Sequence, residues 1–194
     1  MDFNAASEYI IDRLRRELNP SLSYHCVEHT IDVIEATRRL AGMEKIEPAA
    51  KILLQTASSF HDCGMLIQYK DHESASIDLA CQVLPGFGYT NSDIDEVARL
   101  IMVTRLPQHP YDHLEQIICD ADLDYLGRDD FFINSFRLKL EWEVNGIRST
   151  TLKEWFNIQM KFLTEHQYFT PSAILLRNEK KLRHLQEIKQ LITP

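Results

Sequence analysis

The 194-residue chain is expected to fold as an all-α protein, and three observations carry that expectation. Apolar residues recur at three- and four-residue intervals through most of its length, whereas no run alternates with period two for long enough to make a strand. Glycine and proline fall almost entirely between those periodic runs, where helices end. With 44% hydrophobic and 26% charged residues, the composition is that of an ordinary globular protein, and the length suits one well-buried domain better than two. No repeat, low-complexity segment or linker interrupts it, so residues 1–194 are expected to form a single domain.

The first helix is expected from about Asp2 to Leu18, where Asn19-Pro20 stops it. A second runs from near Tyr24 to near Ala41-Gly42. On it His29, Val33, Ala36 and Leu40 share one face while Glu28, Asp32, Glu35 and Arg39 take the other, so His29 points inward. The third spans Pro48 to Gly64, opening on a favourable first-turn proline, and places Leu54, Ala57 and His61 on one face. Asp71 caps a fourth that reaches Leu84, with Pro85-Gly86 as its stop. Thr90 or Asn91 opens a fifth, with Ile94, Val97, Ala98 and Ile101 inward and Pro107 as its limit.

Asp112-His113-Leu114-Glu115 has the form of a capping box. The helix it starts has the inner face Leu114, Ile117, Ile118, Ala121, Asp122, Tyr125, which puts Asp122 on the apolar stripe and Asp120 and Asp124 beyond its edges. Three further helices follow Gly127: Asp130 to Val144, Thr151 to about His166, and Pro171 to Ile192. Their stripes (Phe132, Phe136, Leu140; Trp155, Gln159, Phe162; Leu182, Leu185, Ile188) read as core. The aromatics Phe131, Phe132, Trp142 and Trp155 would serve a core or a homodimer interface equally well.

A net charge of −8 argues against a nucleic-acid polymer as partner, because backbone affinity comes from clustered Lys and Arg. Small anionic substrates fit only where a metal or a few local cations receive them. The start Met1-Asp2-Phe3-Asn4 has neither a basic nor an apolar region, and no apolar run is long enough to span a bilayer. A cytoplasmic protein without a membrane partner is therefore expected. Cys26, Cys63, Cys81 and Cys119 are scattered, which suits small buried hydrophobes in a reducing compartment better than a zinc ribbon or a disulfide framework.

The chemistry centres on Ala57-Ser58-Ser59-Phe60-His61-Asp62-Cys63-Gly64, which sets a histidine and a carboxylate side by side at the end of an apolar helix. A buried carboxylate is expensive unless a cation or a metal pairs with it. Two other stretches offer partners: Tyr24-His25-Cys26-Val27-Glu28-His29 upstream and Cys119-Asp120-Ala121-Asp122-Leu123 downstream.

The order histidine, His-Asp, aspartate resembles the HD superfamily of metal-dependent phosphohydrolases. The resemblance rests on His29, His61, Asp62 and Asp122, with Tyr-His-x-x-x-His-Thr around the first and Ala-Asp-Leu around the last. Its motifs cover about residues 24–127; the helices of about residues 129–193 resemble the family only in being helical. What it implies is that these four residues ligate one divalent ion, with Mn, Fe, Co, Ni, Zn or Mg all suited to two imidazoles and two carboxylates. It also implies hydrolysis of a phosphomonoester or phosphodiester of a small metabolite, a nucleotide first among them, by metal-activated water that Asp62 orients or deprotonates. By likeness to cyclic-nucleotide phosphodiesterases with a similar histidine pattern, His25 would protonate the leaving oxygen.

His72 matches an extra histidine of two-metal members, but the further histidine they carry is missing from Met102-Val103-Thr104-Arg105. One metal is therefore expected, with His72 and Glu73 lining the substrate pocket and Arg105 and Arg128 as phosphate ligands. Met65 and Leu66 stand where guanosine-tetraphosphate hydrolases carry acidic residues, and His-Asp-Cys-Gly does not continue into the cyclic-di-GMP phosphodiesterase motif. Two alternatives stand beside the hydrolase: a non-catalytic HD ligand-binding or signalling module that keeps a structural metal, and an HD-type iron oxygenase, which the missing second histidine weakens.

Overall fold

The periodic runs become helices in the computed structural model, which describes residues 1–192, and no strand occurs among them. The chain divides into two compact units, one of Met1–Asn19 with His25–Asp122, the other of Pro20–Tyr24 with the chain from Leu123 onward.

In the first unit α1 is Phe3–Glu17, α2 Val27–Met43, α3 Pro48–Phe60, α4 His72–Val83, α5 Asn91–Met102 and α6 His113–Asp122. The Asp2 carboxylate caps α1 by accepting from the Ala5 amide at 3.0 Å, and Ala6, Ile10 and Leu14 bury its inner stripe. Thr90 and Asp93 form a complete capping box on α5. The box expected on α6 is altered: Asp112 Oδ1 accepts from the Glu115 amide at 2.9 Å, but Glu115 reaches back to the Tyr111 amide at 2.6 Å and pairs with Arg99.

Helix α3 lies at the centre, against α1, α2, α4, α5 and α6. Its C-terminal half, Thr56 to Phe60, is buried on every side, including three hydroxyls that the periodic pattern alone would turn to solvent. Each of these hydroxyls donates to the carbonyl one turn back: Thr56 to Ile52 at 2.8 Å, Ser58 to Leu54 at 2.9 Å, Ser59 to Gln55 at 2.9 Å. Each therefore accepts from a neighbour, namely Tyr89 at 2.6 Å, Thr37 of α2 at 2.7 Å and Ser7 of α1 at 3.0 Å. Small residues let the helices approach closely, and the paired hydroxyls leave no unmet polar group in the contact.

Three boundaries differ from expectation. The α2 helix starts at Val27 with Cys26 as its cap, so His25 precedes it. The α3 helix closes at Phe60, and Gly64 lies inside a 3-10 turn, Cys63–Leu66. Gly64 is needed there for close approach, because a Cβ would stand 2.0 Å from the His72 carbonyl oxygen and 2.6 Å from the Ser76 amide. Asp71 takes the cap position of α4 in a left-handed conformation, φ 61°, but makes no capping bond; its carboxylate accepts from Ser74 and Arg105 instead.

The second unit contains the 3-10 turn Asp124–Gly127, α7 Phe131–Val144, α8 Leu152–Glu165, the short α9 Pro171–Ala173, a π-helical turn Ile174–Asn178 and α10 Glu179–Ile192. Trp155 is buried edge-on to Trp142 and donates its indole N–H to Ser135 at 3.0 Å. The stripes expected on α7 and α10 are only partly core. Phe136, Leu140 and Leu182 are exposed, while Phe131, Ser135, Glu141, Lys181 and His184 are buried beside Leu185 and Ile188. The polar members go inside because each has a partner: Glu141 accepts from the Tyr24 amide at 2.8 Å, Lys181 donates to the His166 carbonyl at 2.6 Å, and His184 pairs with the Leu126 carbonyl at 3.0 Å. No described helix of either unit is long and apolar enough to cross a membrane.

Candidate metal centre

Three helices of the first unit bring ligand-type side chains to one point. His29 sits in the first turn of α2, His61 caps the C-terminal end of α3 with Asp62 directly after it, and Asp122 is the last residue of α6. His29, His61 and Asp122 each place a ligating atom within 4.8 Å of the other two. The imidazole Nε2 atoms of His29 and His61 are 3.3 Å apart, and Asp122 Oδ1 lies 3.3 and 3.5 Å from them. Asp62 Oδ2 approaches the same two nitrogens at 3.4 and 3.2 Å.

These residues fit a divalent cation. Two atoms about 2.1 Å from a common ion and at right angles to each other are about 3 Å apart, so the observed spacings need only small side-chain adjustments. His61 Nδ1 donates to the Ser58 carbonyl at 2.8 Å, an arrangement that fixes the ring and aims Nε2 into the cluster. The C-terminal ends of α3 and α6 converge there, and the negative end of a helix dipole favours positive charge.

The side chains of the cluster themselves favour positive charge. Burial would lower the His61 imidazolium, but the Asp62 and Asp122 carboxylates outweigh it and raise it well above the usual histidine range. Burial would raise Asp62, yet His61 and His72 hold it well below the usual carboxylate range, and His29 and His61 likewise lower Asp122. Positive charge is what the pocket asks for, whether it comes as a proton or a metal.

His72, Glu73 and Arg105 also come together. His72 Nε2 stands 3.1 Å from Asp62 Oδ1 and 3.7 Å from Glu73, while its Nδ1 donates to the Tyr69 carbonyl at 3.0 Å. Burial opposes the His72 charge, but Asp62 raises its pKa to about 9. Arg105 Nε lies 3.5 Å from Glu73, and the guanidinium also bonds Asp71 and, at 3.0 Å, Ser74. The His25 ring stands 5.6 Å from His72, 6.2 Å from His29 and 5.8 Å from Tyr69, centroid to centroid. Arg128 belongs to the second unit, where it pairs with Asp130.

Asp120 and Asp124 are not outside the buried stripe: Asp120 is wholly buried, and Asp124 is buried against Arg177, which donates to it at 2.8 and 3.0 Å. Asp122 is distinguished instead by where α6 ends. Of the free cysteines, Cys63 and Cys119 are buried but Cys81 is exposed, and burial pushes the Cys63 thiol up to about 12.

One site residue escaped the sequence reading. Gln108 Nε2 donates to Asp122 Oδ2 at 3.0 Å and to the Thr104 carbonyl at 3.3 Å. It lies between Pro107 and Pro110 in a loop without periodicity, where no spacing marks a side chain as inward.

A family model, HD domain, matches residues 26–124. No curated protein matches the chain. The crystal structure of Bacillus subtilis YpgQ in complex with ADP is similar in fold, with a TM-score of 0.65 over 95% of this chain and 95% of that one at 19% sequence identity.

Proposed function

The chain belongs to the HD-domain family, and from that premise we propose that it is a metal-dependent phosphohydrolase acting on a small phosphorylated metabolite, most simply a nucleotide. The observation that carries this reading is the convergence of His29, His61 and Asp122 from three helices, with Asp62 reaching both imidazoles. These four residues would hold one divalent ion. When bound, such an ion lowers the pKa of water and polarises a phosphoryl oxygen, which suits phosphoric ester hydrolysis.

The remaining groups divide the work on the substrate. Asp62 faces the imidazoles with Oδ2 and His72 with Oδ1, so His72 holds the carboxylate in the orientation needed to steer or deprotonate an attacking water. His25, beside His72 and His29, would give a proton to the departing oxygen. Arg105, about half exposed and next to Glu73, presents cationic charge to a phosphate, and His72 and Glu73 would line the pocket. A nucleotide is favoured as substrate by the fold-level neighbour described in complex with ADP.

The test is phosphate release by metal-stripped protein reloaded separately with Mn, Co, Ni, Zn and Mg, on nucleoside mono-, di- and triphosphates, cyclic nucleotides and sugar phosphates. Metal-dependent turnover that Asp62→Asn abolishes is expected. Stoichiometric metal binding with no turnover on any of these substrates would overturn the hydrolase reading in favour of a ligand-binding module.

A further inference from the structure

We propose that Gln108 is a positioning residue of the metal centre. It occupies one oxygen of Asp122, so that the carboxylate meets the ion through the other alone, and thereby biases the centre toward small divalent ions over calcium. The inference rests on the ligand role given above to His29, His61, Asp62 and Asp122.

The amide of Gln108 has two N–H bonds, and both have acceptors: Asp122 Oδ2 at 3.0 Å and the Thr104 carbonyl at 3.3 Å. Its orientation follows from electrostatics, because a flipped amide would set its oxygen against a carboxylate oxygen. The Gln108 Oε1 is buried and accepts no hydrogen bond, so the two N–H groups alone fix the side chain.

The backbone that holds the amide is itself anchored. Thr104 is buried and donates its hydroxyl to the Ile101 carbonyl at 2.8 Å, and the Cys119 thiol of α6 donates to the Val103 carbonyl at 3.4 Å. The loop after α5 is thus tied to the last turn of α6, and Gln108 spans from one to the other. On the far side of the carboxylate, Oδ1 faces His29 Nε2 at 3.3 Å and His61 Nε2 at 3.5 Å. One oxygen is spent on the amide and one is left for an ion.

The consequence is ion choice. Calcium gathers about six to eight oxygen ligands and readily takes both oxygens of a carboxylate, whereas Mg, Mn and their small relatives are satisfied by about six ligands with one oxygen from each carboxylate. Removing the donor frees Oδ2 to become a further oxygen ligand. Small ions lose an oriented ligand; calcium loses the same orientation but gains an oxygen.

The experiment titrates metal-free full-length protein with Mn²⁺ and with Ca²⁺ against a fluorescent chelator, comparing wild type with Gln108→Met, which keeps the length of the side chain and removes the donor. Mn²⁺ affinity should fall by about tenfold or more. The Ca²⁺ affinity should fall by less, so the preference for Mn²⁺ over Ca²⁺ narrows, and the electron paramagnetic resonance spectrum of bound Mn²⁺ should change. Unchanged affinities, or equal factors for both ions, would overturn the proposal. Circular dichroism of the metal-free variant checks folding, and Gln108→Leu carries the same test should Gln108→Met not fold. Wild-type protein that binds Mn²⁺ but releases no phosphate would sink the hydrolase reading and leave this one standing. Equal factors in a protein that does turn over phosphate esters would sink this one alone.

Discussion

Replacing Gly64 by alanine should unlock the turn that carries the His-Asp pair. The added Cβ would stand 2.0 Å from the His72 carbonyl oxygen, 2.6 Å from the Ser76 amide and 2.9 Å from the Ala75 Cβ, where ordinary contact begins at 3.4 Å. Two of these neighbours are backbone, so the start of α4 must move away from the turn by about 1 Å or more. That movement breaks the bond from the Gly64 amide to Ser76 Oγ, 2.7 Å, and stretches the 3.1 Å contact between His72 and Asp62. Overpacking of this kind costs about 1–3 kcal/mol and the lost hydrogen bond about 1 kcal/mol more. About 3 kcal/mol is a large part of the roughly 5–15 kcal/mol that stabilises a folded protein, and it corresponds to a melting point lower by roughly 6–12 °C in a chain of this size. The matched control is Gly42→Ala in the last turn of α2, where an added Cβ meets nothing within 4 Å. Alanine there should stabilise by about 0.5–1 kcal/mol through helix propensity alone. Thermal and urea unfolding of both variants in the presence of a chelator separates the two effects. A Gly64→Ala protein within about 1 kcal/mol of wild type would refute the claim that close approach is what this glycine provides.

The hydroxyl contacts of α3 are testable by a double-mutant cycle. Thr37→Val and Ser58→Ala should each cost about 1–2 kcal/mol, and the pair together less than their sum by about 1 kcal/mol; strict additivity would mean that the 2.7 Å bond contributes nothing. In the second unit, burial holds the Lys181 ammonium below the ordinary lysine value of 10.5. The unfolded chain then binds more protons than the folded one between the lowered value and 10.5, so stability rises with pH across that window. Urea midpoints of wild type and Lys181→Met should therefore shift in favour of wild type as pH climbs toward that value, and a constant difference would show that Lys181 is not desolvated.

Helical phase made the core of the site legible. His29 shares a face with Val33, Ala36 and Leu40, and all three of those are buried, so reading His29 as inward needed nothing beyond the 3.6-residue period. The same logic failed where polar residues find partners from distant parts of the chain. Asp120, Glu141, Lys181 and His184 are buried although the pattern places them at the edges of stripes or ignores them, because burial of a polar group depends on a partner that local spacing does not encode. The exposed Phe136, Leu140 and Leu182 are the same error seen from the other side. The α2 helix starts at Val27 rather than near Tyr24, leaving His25 ahead of it, because Cys26 takes the cap position through its backbone conformation without a side-chain bond and so leaves no capping residue to read. Gln108 had no signal at all, since its role is set by where an irregular loop passes the end of α6.

The polar pairs around α3 and the candidate metal centre belong to one construction. Ser58 is the link: its hydroxyl is held between Leu54 and Thr37, while its carbonyl accepts from His61 Nδ1 and so sets the angle of the imidazole. An apolar residue at position 58 would pack against α2 but leave Thr37 without its acceptor, and the helix free to roll by the small amounts that loose apolar contacts permit. A roll of α3 would swing His61 and Asp62 together, since they follow its last turn directly, while His29 and Asp122 stay with α2 and α6. Spacings of 3.2–3.5 Å between groups on three helices survive only if those helices hold register with one another. Hydroxyl bonds have a direction and a length that apolar contacts lack, so a central helix packed through serine and threonine trades some hydrophobic stabilisation for that register. The burial of three hydroxyls just ahead of the His-Asp pair is then a requirement of the site, placed where a small error in helix position would be felt most.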